Sequence, residues 1–134
     1  MVKSAIITAA GSGRRFGEAK QFKKLHGKPL YQYSLDIFIQ SRLFDEIILV
    51  IPKSNQQKVQ KEIKMKYGSQ VSLVIGGSDR QGSVKNAIQN SNPNIDLVVI
   101  HDAARPFITT TLIERCIFAC ETSDGAIIAM QPHD

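Results

Sequence analysis

Short apolar runs alternate with segments of helical periodicity along the whole chain. The apolar runs, rich in β-branched residues, cover residues 5–10, 46–52, 71–77, 96–102 and 125–130. Their continuous apolar character is typical of strands buried on both faces of a parallel sheet. The segments between them predict helices near 29–41, 54–66, 81–90 and 110–121. This alternation predicts an α/β fold, a Rossmann-like, doubly wound and mainly parallel sheet with helices on both faces.

Two of the predicted helices begin with the spacing of a capping box. In a capping box, a Ser or Thr side chain and a Glu or Gln side chain three residues later each bond to a backbone N–H of the first turn. Ser54 with Gln57, and Thr111 with Glu114, have this spacing. We therefore expect Ser54 and Thr111 to act as caps at the starts of the second and fourth helices.

Ligands of doubly wound sheets bind beyond the carboxyl ends of the strands. Three segments of the chain follow predicted strands in this way: "GSGRRFG" (11–17), "GGSDRQGS" (76–83) and "HDAARP" (101–106). All three should face the same crevice. This crevice is the candidate functional site.

The first of these segments is a glycine-rich loop that fits neither common phosphate motif. A dinucleotide-binding loop needs a third glycine where this chain has Phe16, and a Walker A loop needs Lys and then Ser or Thr after Gly17. What remains is a glycine turn whose amides can approach an anion, followed by Arg14, Arg15 and Lys20. Arginine and lysine both pair with phosphate oxygens, so this loop suits a triphosphate.

Composition supports one compact domain over residues 1–134. The chain is 43% apolar and 22% charged, with a net charge of +5. Seven basic side chains and one acidic side chain lie within residues 1–28, whereas the remaining residues carry ten basic and eleven acidic ones. Such a local positive charge favours a small polyanion, so we expect no nucleic-acid partner.

The cysteines and the apolar runs indicate a cytoplasmic protein. Cys116 and Cys120 are four residues apart in a predicted helix, where a disulfide is geometrically disfavoured. No run approaches the ~20 apolar residues of a membrane span, so we expect no membrane partner. No cluster of Cys and His residues supports a structural zinc site.

Asp102 lies just past the fourth strand, where a carboxylate can hold a hard cation. Magnesium takes one or two carboxylates together with phosphate oxygens, so a single Asp beside a triphosphate is sufficient. The alternative is a carboxylate that caps the following turn. We expect the preceding His101 to be structural, because alternation along the strand points it the other way.

Three motifs in this order resemble those of the 2-C-methyl-D-erythritol 4-phosphate cytidylyltransferases: "AAGSGRRFGEAKQF", "GGSDRQGSVKNAI" and "VVIHDAARPFIT". The resemblance implies a nucleotide-diphospho-sugar transferase-like fold. It also implies transfer of CMP from CTP to 2-C-methyl-D-erythritol 4-phosphate, with Mg²⁺ and release of pyrophosphate, in non-mevalonate isoprenoid biosynthesis. "HDAARP" is the most specific motif, because the sister ribitol 5-phosphate enzymes tend to vary its two alanines.

The resemblance also implies roles for individual residues. The catalytic candidates are Arg15 and Lys20, and the metal ligand is Asp102. Arg105 either contacts the substrate or buttresses the loop. The nucleotide-binding candidates are Ala9, Ala10, Gly11, Gly13, Gly76, Gly77, Ser78, Ser83 and Ala103. For Arg15 and Lys20 the alternative is a solvated surface charge, and for Ser83 it is a hydroxyl that holds a tight turn near a helix start.

Two departures from the family pattern bear on these expectations. The loop from Arg15 to Lys20 is shorter than is usual, and Ala19 stands where a proline normally precedes Lys-Gln. The chain is also expected to lack the family's C-terminal part, which carries acceptor-binding residues and the arm of the homodimer. Without that part, we expect residues 125–130 to pair with the fourth strand or with another molecule.

Two functional alternatives stay open at this stage. One is a cytidylyltransferase for ribitol 5-phosphate or another polyol phosphate, since most acceptor contacts belong to the C-terminal part. The other is a fragment that binds CTP without turnover.

Overall fold

The computed structural model describes residues 1–11 and 19–126. Strands and α-helices alternate through this part of the chain, interrupted by three short 3₁₀ turns at Lys20–Phe22, Lys53–Asn55 and Gly68–Gln70. In chain order the elements are β1 (Lys3–Thr8), β2 (Lys24–Leu25), β3 (Lys28–Pro29), α1 (Leu30–Ser41), β4 (Glu46–Ile51), α2 (Gln56–Tyr67), β5 (Ser72–Ile75), α3 (Arg80–Gln89), β6 (Leu97–Asp102) and α4 (Thr110–Ala119).

The main sheet has the order β5-β4-β1-β6, and every pair of neighbours is parallel. β1 is central, and its last residue, Thr8, is in register with Val50 of β4 on one side and with Asp102 of β6 on the other. The carboxyl ends of the strands therefore meet at one edge. The four apolar runs that fall within the described residues form this sheet, as predicted.

The sheet has an apolar core on each face, because successive residues of a strand point to opposite sides. Ile7 and Leu49 belong to the larger core, which α1, α2 and α4 cover with Tyr31, Leu35, Phe38, Val59, Ile63, Ile113 and Ile117. Ile6 and Ile48 belong to the smaller core, which α3 covers with Ala87. Each fully buried Ile or Leu contributes about 1.5–3 kcal/mol. The predicted fold class, with helices on both faces, is confirmed.

Both predicted capping boxes are wrong, because each helix starts at a neighbouring residue. α2 follows a 3₁₀ turn and begins after Asn55, and the Ser54 hydroxyl donates to the Asn55 side chain instead of capping the helix. α4 begins after Thr109, whose backbone is extended and whose hydroxyl accepts the Leu112 N–H at 3.2 Å. Thr111 already lies inside that helix.

A small hairpin, β2–β3, was not predicted because its strands have only two residues each and no apolar pattern. His26 and Gly27 form its turn with positive φ angles of 53° and 76°, the backbone signature of a type I′ turn. The Tyr33 hydroxyl donates to the Leu25 carbonyl at 2.5 Å and ties the hairpin to α1.

The fifth predicted strand, residues 125–130, lies almost entirely outside the described residues. In its described part, the Ala126 carbonyl oxygen lies 3.7 Å from Cys116 Sγ on α4. How residues 127–130 of this segment pair stays a prediction. Within residues 1–11 and 19–126, no helix is both long and apolar enough to cross a membrane.

Candidate functional site

The three predicted segments leave the sheet side by side at its carboxyl edge. Three hydrogen bonds extend the sheet beyond the strands. The amide of Ala9 donates to a carbonyl of β4 at 2.7 Å, that of Gly76 to another carbonyl of β4 at 2.9 Å, and that of Ala103 to a carbonyl of β1 at 2.9 Å. The expected convergence of the segments after β1, β5 and β6 is confirmed for the residues that the structure describes.

The segment after β5 packs directly on the segment after β1, and this contact requires a glycine. A Cβ atom added to Gly76 would lie 2.4 Å from the Ala10 Cβ and 2.8 Å from Ser83 Oγ. Both distances are far shorter than side-chain contacts allow. Gly77 is similarly close to the start of α3, where an added Cβ would lie 2.9 Å from a backbone carbon of Gly82.

Gln21 holds the first loop from the side. Its amide nitrogen Nε2 donates to the carbonyl oxygens of Ala9 at 2.7 Å and Gly11 at 2.8 Å, and the residue is only 5% exposed. The next residue, Phe22, packs edge-on against Tyr31 of α1 with ring centroids 5.9 Å apart. Gln21 was not predicted as a site residue, because a side chain that bonds to backbone carbonyls has no recognisable spacing in the sequence.

Some described backbone groups of the first loop form hydrogen bonds within the described part of the chain, and others do not. Both groups of Ala9 are used, since its N–H bonds to β4 and its carbonyl accepts from Gln21. No hydrogen bond within residues 1–11 and 19–126 engages the N–H groups of Ala10 and Gly11, and Gly11 is exposed. Lys20, the other described candidate of this loop, is also exposed. Gly13 and Arg15 lie outside the described residues.

Ser83 supports the turn after β5 with its hydroxyl. Ser83 Oγ donates to the Asp79 carbonyl at 2.9 Å and accepts the Gly77 N–H at 3.1 Å, and the residue is buried. The Asp79 side chain caps α3 by accepting the Gly82 N–H at 2.7 Å. Gly77 and Ser78 are exposed at this turn, whereas the hydroxyl of Ser83 is occupied within the protein.

Asp102 closes the turn after β6 with one of its two carboxylate oxygens. Oδ1 accepts the Ala104 N–H at 3.0 Å, and the Asp102 carbonyl accepts the Arg105 N–H at 3.1 Å. Oδ2 makes no hydrogen bond or ion pair with the part of the chain that the structure describes. Among the described residues, the turn therefore uses only one of the two carboxylate oxygens.

Helix α1 and His101 support the same turn from below. Ser34, which is fully buried, has its Oγ 3.4 Å from the carbonyl oxygens of both Ala103 and Arg105. The His101 ring packs against Phe38 with centroids 5.4 Å apart, and its Nε2 lies 2.9 Å from the Arg105 carbonyl. Burial lowers the pKa of His101, partly opposed by this hydrogen bond. These contacts give His101 a structural position.

The candidates of the turn after β6 differ in their access to solvent. Ala103 is completely buried in the larger core, and its N–H and carbonyl bond to β1 and Ser34. Arg105 is exposed. Ligands from solution can therefore reach Arg105 directly, but not the side chain of Ala103 in this arrangement.

The donor set at this edge fits a magnesium ion that is shared with phosphate. Within residues 1–11 and 19–126 there is no group of three or more His, Cys, Asp or Glu residues that could hold a metal on their own. Asp102 offers a single carboxylate oxygen, and Mg²⁺ is commonly held by one or two carboxylates, water and substrate phosphates. The residues present suit Mg²⁺ bound together with a polyphosphate.

The fold and this arrangement of strand-end loops define an α/β domain of the nucleotidyltransferase type. A family model described as 2-C-methyl-D-erythritol 4-phosphate cytidylyltransferase (IspD) matches residues 3–134. The chain belongs to this family, as the three motifs predicted.

Relatives with this name share more than a third of their aligned residues with the chain. Those from Clostridium beijerinckii and Clostridium acetobutylicum are 38% and 41% identical, over 98% and 97% of this chain and 59% and 58% of their own length. The crystal structure of 4-diphosphocytidyl-2C-methyl-D-erythritol synthase from Anaerococcus prevotii superposes with a TM-score of 0.79 at 33% identity. The superposition covers 90% of this chain and 52% of the Anaerococcus prevotii chain. The chain thus spans somewhat more than half the length of these relatives.

Proposed function

We propose that this chain forms the CTP-binding part of a cytidylyltransferase. The enzyme transfers CMP from CTP to 2-C-methyl-D-erythritol 4-phosphate and releases pyrophosphate. The observation that carries the proposal is the meeting of three strand-end segments at one edge. Gly76 lies against Ala10, and Thr8 is in register with Asp102. At this edge, backbone N–H groups without a partner among the described residues lie near a carboxylate in a member of that family.

The proposed reaction needs positioning and charge neutralisation more than a strong base. A phosphate oxygen of the acceptor attacks the α-phosphorus of CTP, and the bond from that phosphorus to the oxygen that bridges to the β-phosphate breaks. The attacking oxygen is already anionic, so no proton has to be removed. Lys20 and Arg15 would neutralise the charge that develops on the phosphates. The backbone amides of Ala10, Gly11 and Gly13 would hold the phosphates in place.

Asp102 would hold the Mg²⁺ of this reaction with Oδ2, the oxygen that its own turn leaves available. When bound, the metal would neutralise phosphate charge beside the reacting phosphorus. Asp102 itself stays rigid, because its other oxygen is tied to the Ala104 amide.

The turn after β5 is the proposed site of the cytosine. Gly76, Gly77 and Ser78 are small, so they leave space for the ring, and exposed backbone groups there can read its polar edge. Ser83 would act by holding Gly77 in place, in keeping with its two backbone hydrogen bonds. Ala103 is buried, so it would support the nucleotide site from within the core without touching the nucleotide.

Arg105 is the proposed contact of the acceptor phosphate, and its exposure at the rim of the crevice supports this role. Ribitol 5-phosphate is the alternative acceptor. A cytoplasmic location is also part of the proposal, and so is a homodimer where the family's C-terminal arm is present. The two free thiols, Cys116 and Cys120, are compatible with a reducing compartment.

Pyrophosphate release by the 134-residue chain tests this function. The reaction contains CTP, Mg²⁺ and either 2-C-methyl-D-erythritol 4-phosphate or ribitol 5-phosphate, with Asp102→Asn as the control. We expect release with the first acceptor only, and none from the control. CTP-dependent thermal stabilisation without release would reduce the proposal to nucleotide binding. Absence of both would overturn it.

A further inference from the structure

Gln21 makes an unusual contact for a residue next to a candidate catalytic lysine. One amide group donates to two carbonyl oxygens, of Ala9 and Gly11, that flank a single residue, Ala10. Buried side-chain amides usually bond to whatever polar groups happen to be near. Here both donors are directed at the one stretch of backbone that the proposed triphosphate must approach.

This contact fixes the direction of a backbone amide. In a trans peptide, the C=O of one residue and the N–H of the next point to opposite sides. Because the Ala9 carbonyl points toward Gln21, the Ala10 N–H must point away from it. This N–H has no partner within the described part of the chain. Its direction, and so its presentation to an anion at this edge, depends on Gln21.

The same contact joins the two described ends of the first loop. Ala9 and Gly11 precede residues 12–18 and Gln21 follows them, so the hydrogen bonds close the loop regardless of what lies between. Phe22 then attaches this end to Tyr31 of α1. Lys20 is covalently next to Gln21, so its backbone is placed beside the Ala10–Gly11 turn even though the loop is short for the family.

We propose that Gln21 is a positioning residue for the triphosphate: it directs the Ala10 amide outward and brings the backbone of Lys20 to the same turn. The inference rests on the proposed function, since it assumes that CTP binds at this edge. Gln21 does not touch the nucleotide itself. Its role is to preorganise groups that do, which saves the cost of ordering them upon binding.

Calorimetric titration of CTP and of CMP, both with Mg²⁺, into wild type and Gln21→Met tests this role. Methionine keeps the volume of the side chain but donates no hydrogen bond. We expect the affinity for CTP to fall about tenfold, the factor that corresponds to loss of one well-placed hydrogen bond to a charged group. The affinity for CMP, which lacks the β- and γ-phosphates, should change less than about twofold.

Gln32→Met is the matched control. Gln32 is also a buried glutamine, but its side-chain amide bonds to the Tyr31 hydroxyl at 3.2 Å and accepts from Lys66 at 2.9 Å, between α1 and α2. The Gln32→Met variant should lower the melting temperature, as Gln21→Met does. It should leave the CTP-to-CMP affinity ratio unchanged. Gln21→Glu, which exchanges the donor for an acceptor, is the second variant should the methionine variant fold poorly.

The outcomes separate this inference from the proposed function. Wild type that binds neither nucleotide contradicts the proposed function itself. Wild type that prefers CTP, with folded Gln21 variants that keep the same preference, overturns the positioning role alone. Equal losses for CTP and CMP would show that Gln21 merely stabilises the fold, and would overturn it as well.

Discussion

The loops after β1 and β6 leave neighbouring strands at the same edge, yet they are held in different ways. Among the described residues, the side-chain hydrogen bonds to the Ala9–Gly11 stretch come from Gln21 alone. The Asp102–Arg105 turn has three supports: the carboxylate of Asp102, the hydroxyl of Ser34 and the imidazole of His101.

This difference follows from the length of the two connections. A turn of four residues can be closed by its own first side chain, because that side chain is already close to the amides it must bond. A loop of about ten residues has no such local partner and needs a side chain from its far end. We therefore expect single substitutions to have large effects on stability or CTP binding at the loop after β1 and small effects at the turn after β6. Substitutions that remove a charge are the exception.

Asp102 has the largest expected effect, because it combines support of the turn with the proposed metal site. Asp102→Asn keeps an oxygen for the Ala104 amide and removes the charge, so stability should change little while turnover falls about a hundredfold or more. Asp102→Ala should lose the same activity and, in addition, about 1 kcal/mol of stability. Urea denaturation with pyrophosphate assays separates the two. An Asn variant with near-normal activity would reduce Asp102 to a turn residue.

Gly76 tests the packing between the segments after β5 and β1. Gly76→Ala places a methyl group 2.4 Å from Ala10, so we expect about 1–3 kcal/mol of destabilisation and a displaced first loop. Gly11→Ala is the matched control, because an added Cβ there meets nothing within 4 Å. It should change the melting temperature little. Equal melting temperatures for the two variants would contradict the close approach seen here.

Ser34 tests the redundancy of the supports below the Asp102 turn. Ser34→Ala leaves the Ala103 carbonyl without its buried partner, while Arg105 still bonds to His101. We expect about 1 kcal/mol of destabilisation and a CTP affinity within about twofold of wild type. The double variant Ser34→Ala/His101→Phe should weaken CTP binding by more than the two single effects combined. Strict additivity would mean that these supports act independently.

The smallest expected effect is a pH dependence of stability through His101. Its pKa is lowered in the folded state by burial, so below about pH 6.5 the unfolded chain binds more protons than the folded one. The stability associated with neutral His101 is complete above that pH and is lost as the pH falls through the folded-state pKa. Melting temperatures of wild type should therefore fall more steeply than those of His101→Phe between pH 7 and pH 5. Parallel curves would contradict the lowered pKa.

The sequence was sufficient for the sheet because the strands are buried on both faces. A strand such as β4, with five consecutive buried residues, needs an unbroken apolar run, and such runs are visible without a structure. The helices were predicted to within two residues at each end. The capping residues of α2 and α4 were wrong, because a 3₁₀ turn at Lys53–Asn55 and an extended Thr109 place the caps one or two positions away.

The site was predictable in its location and only partly in its contacts. The rule that ligands bind at strand ends found the three segments, and the Asp102 turn carried its capping residue in its own sequence. Gln21 could not be found in this way, because it bonds to carbonyl groups, which every residue has. For the same reason the sequence did not reveal that both bonding directions of the Ser83 hydroxyl are occupied by backbone.

The central place of β1 has a consequence for folding during synthesis. Its partner β4 follows after about 40 residues, as in the bond between Lys3 and Asp45, whereas the contact of Val2 with Asp96 next to β6 spans 94 positions. At roughly 5–20 residues per second, a ribosome needs a few seconds to make the intervening chain. During that interval the nascent sheet exposes one open flank of β1, which favours pairing with other chains. The emergence of β6 then closes this flank and delivers Asp102 to the crevice in the same event.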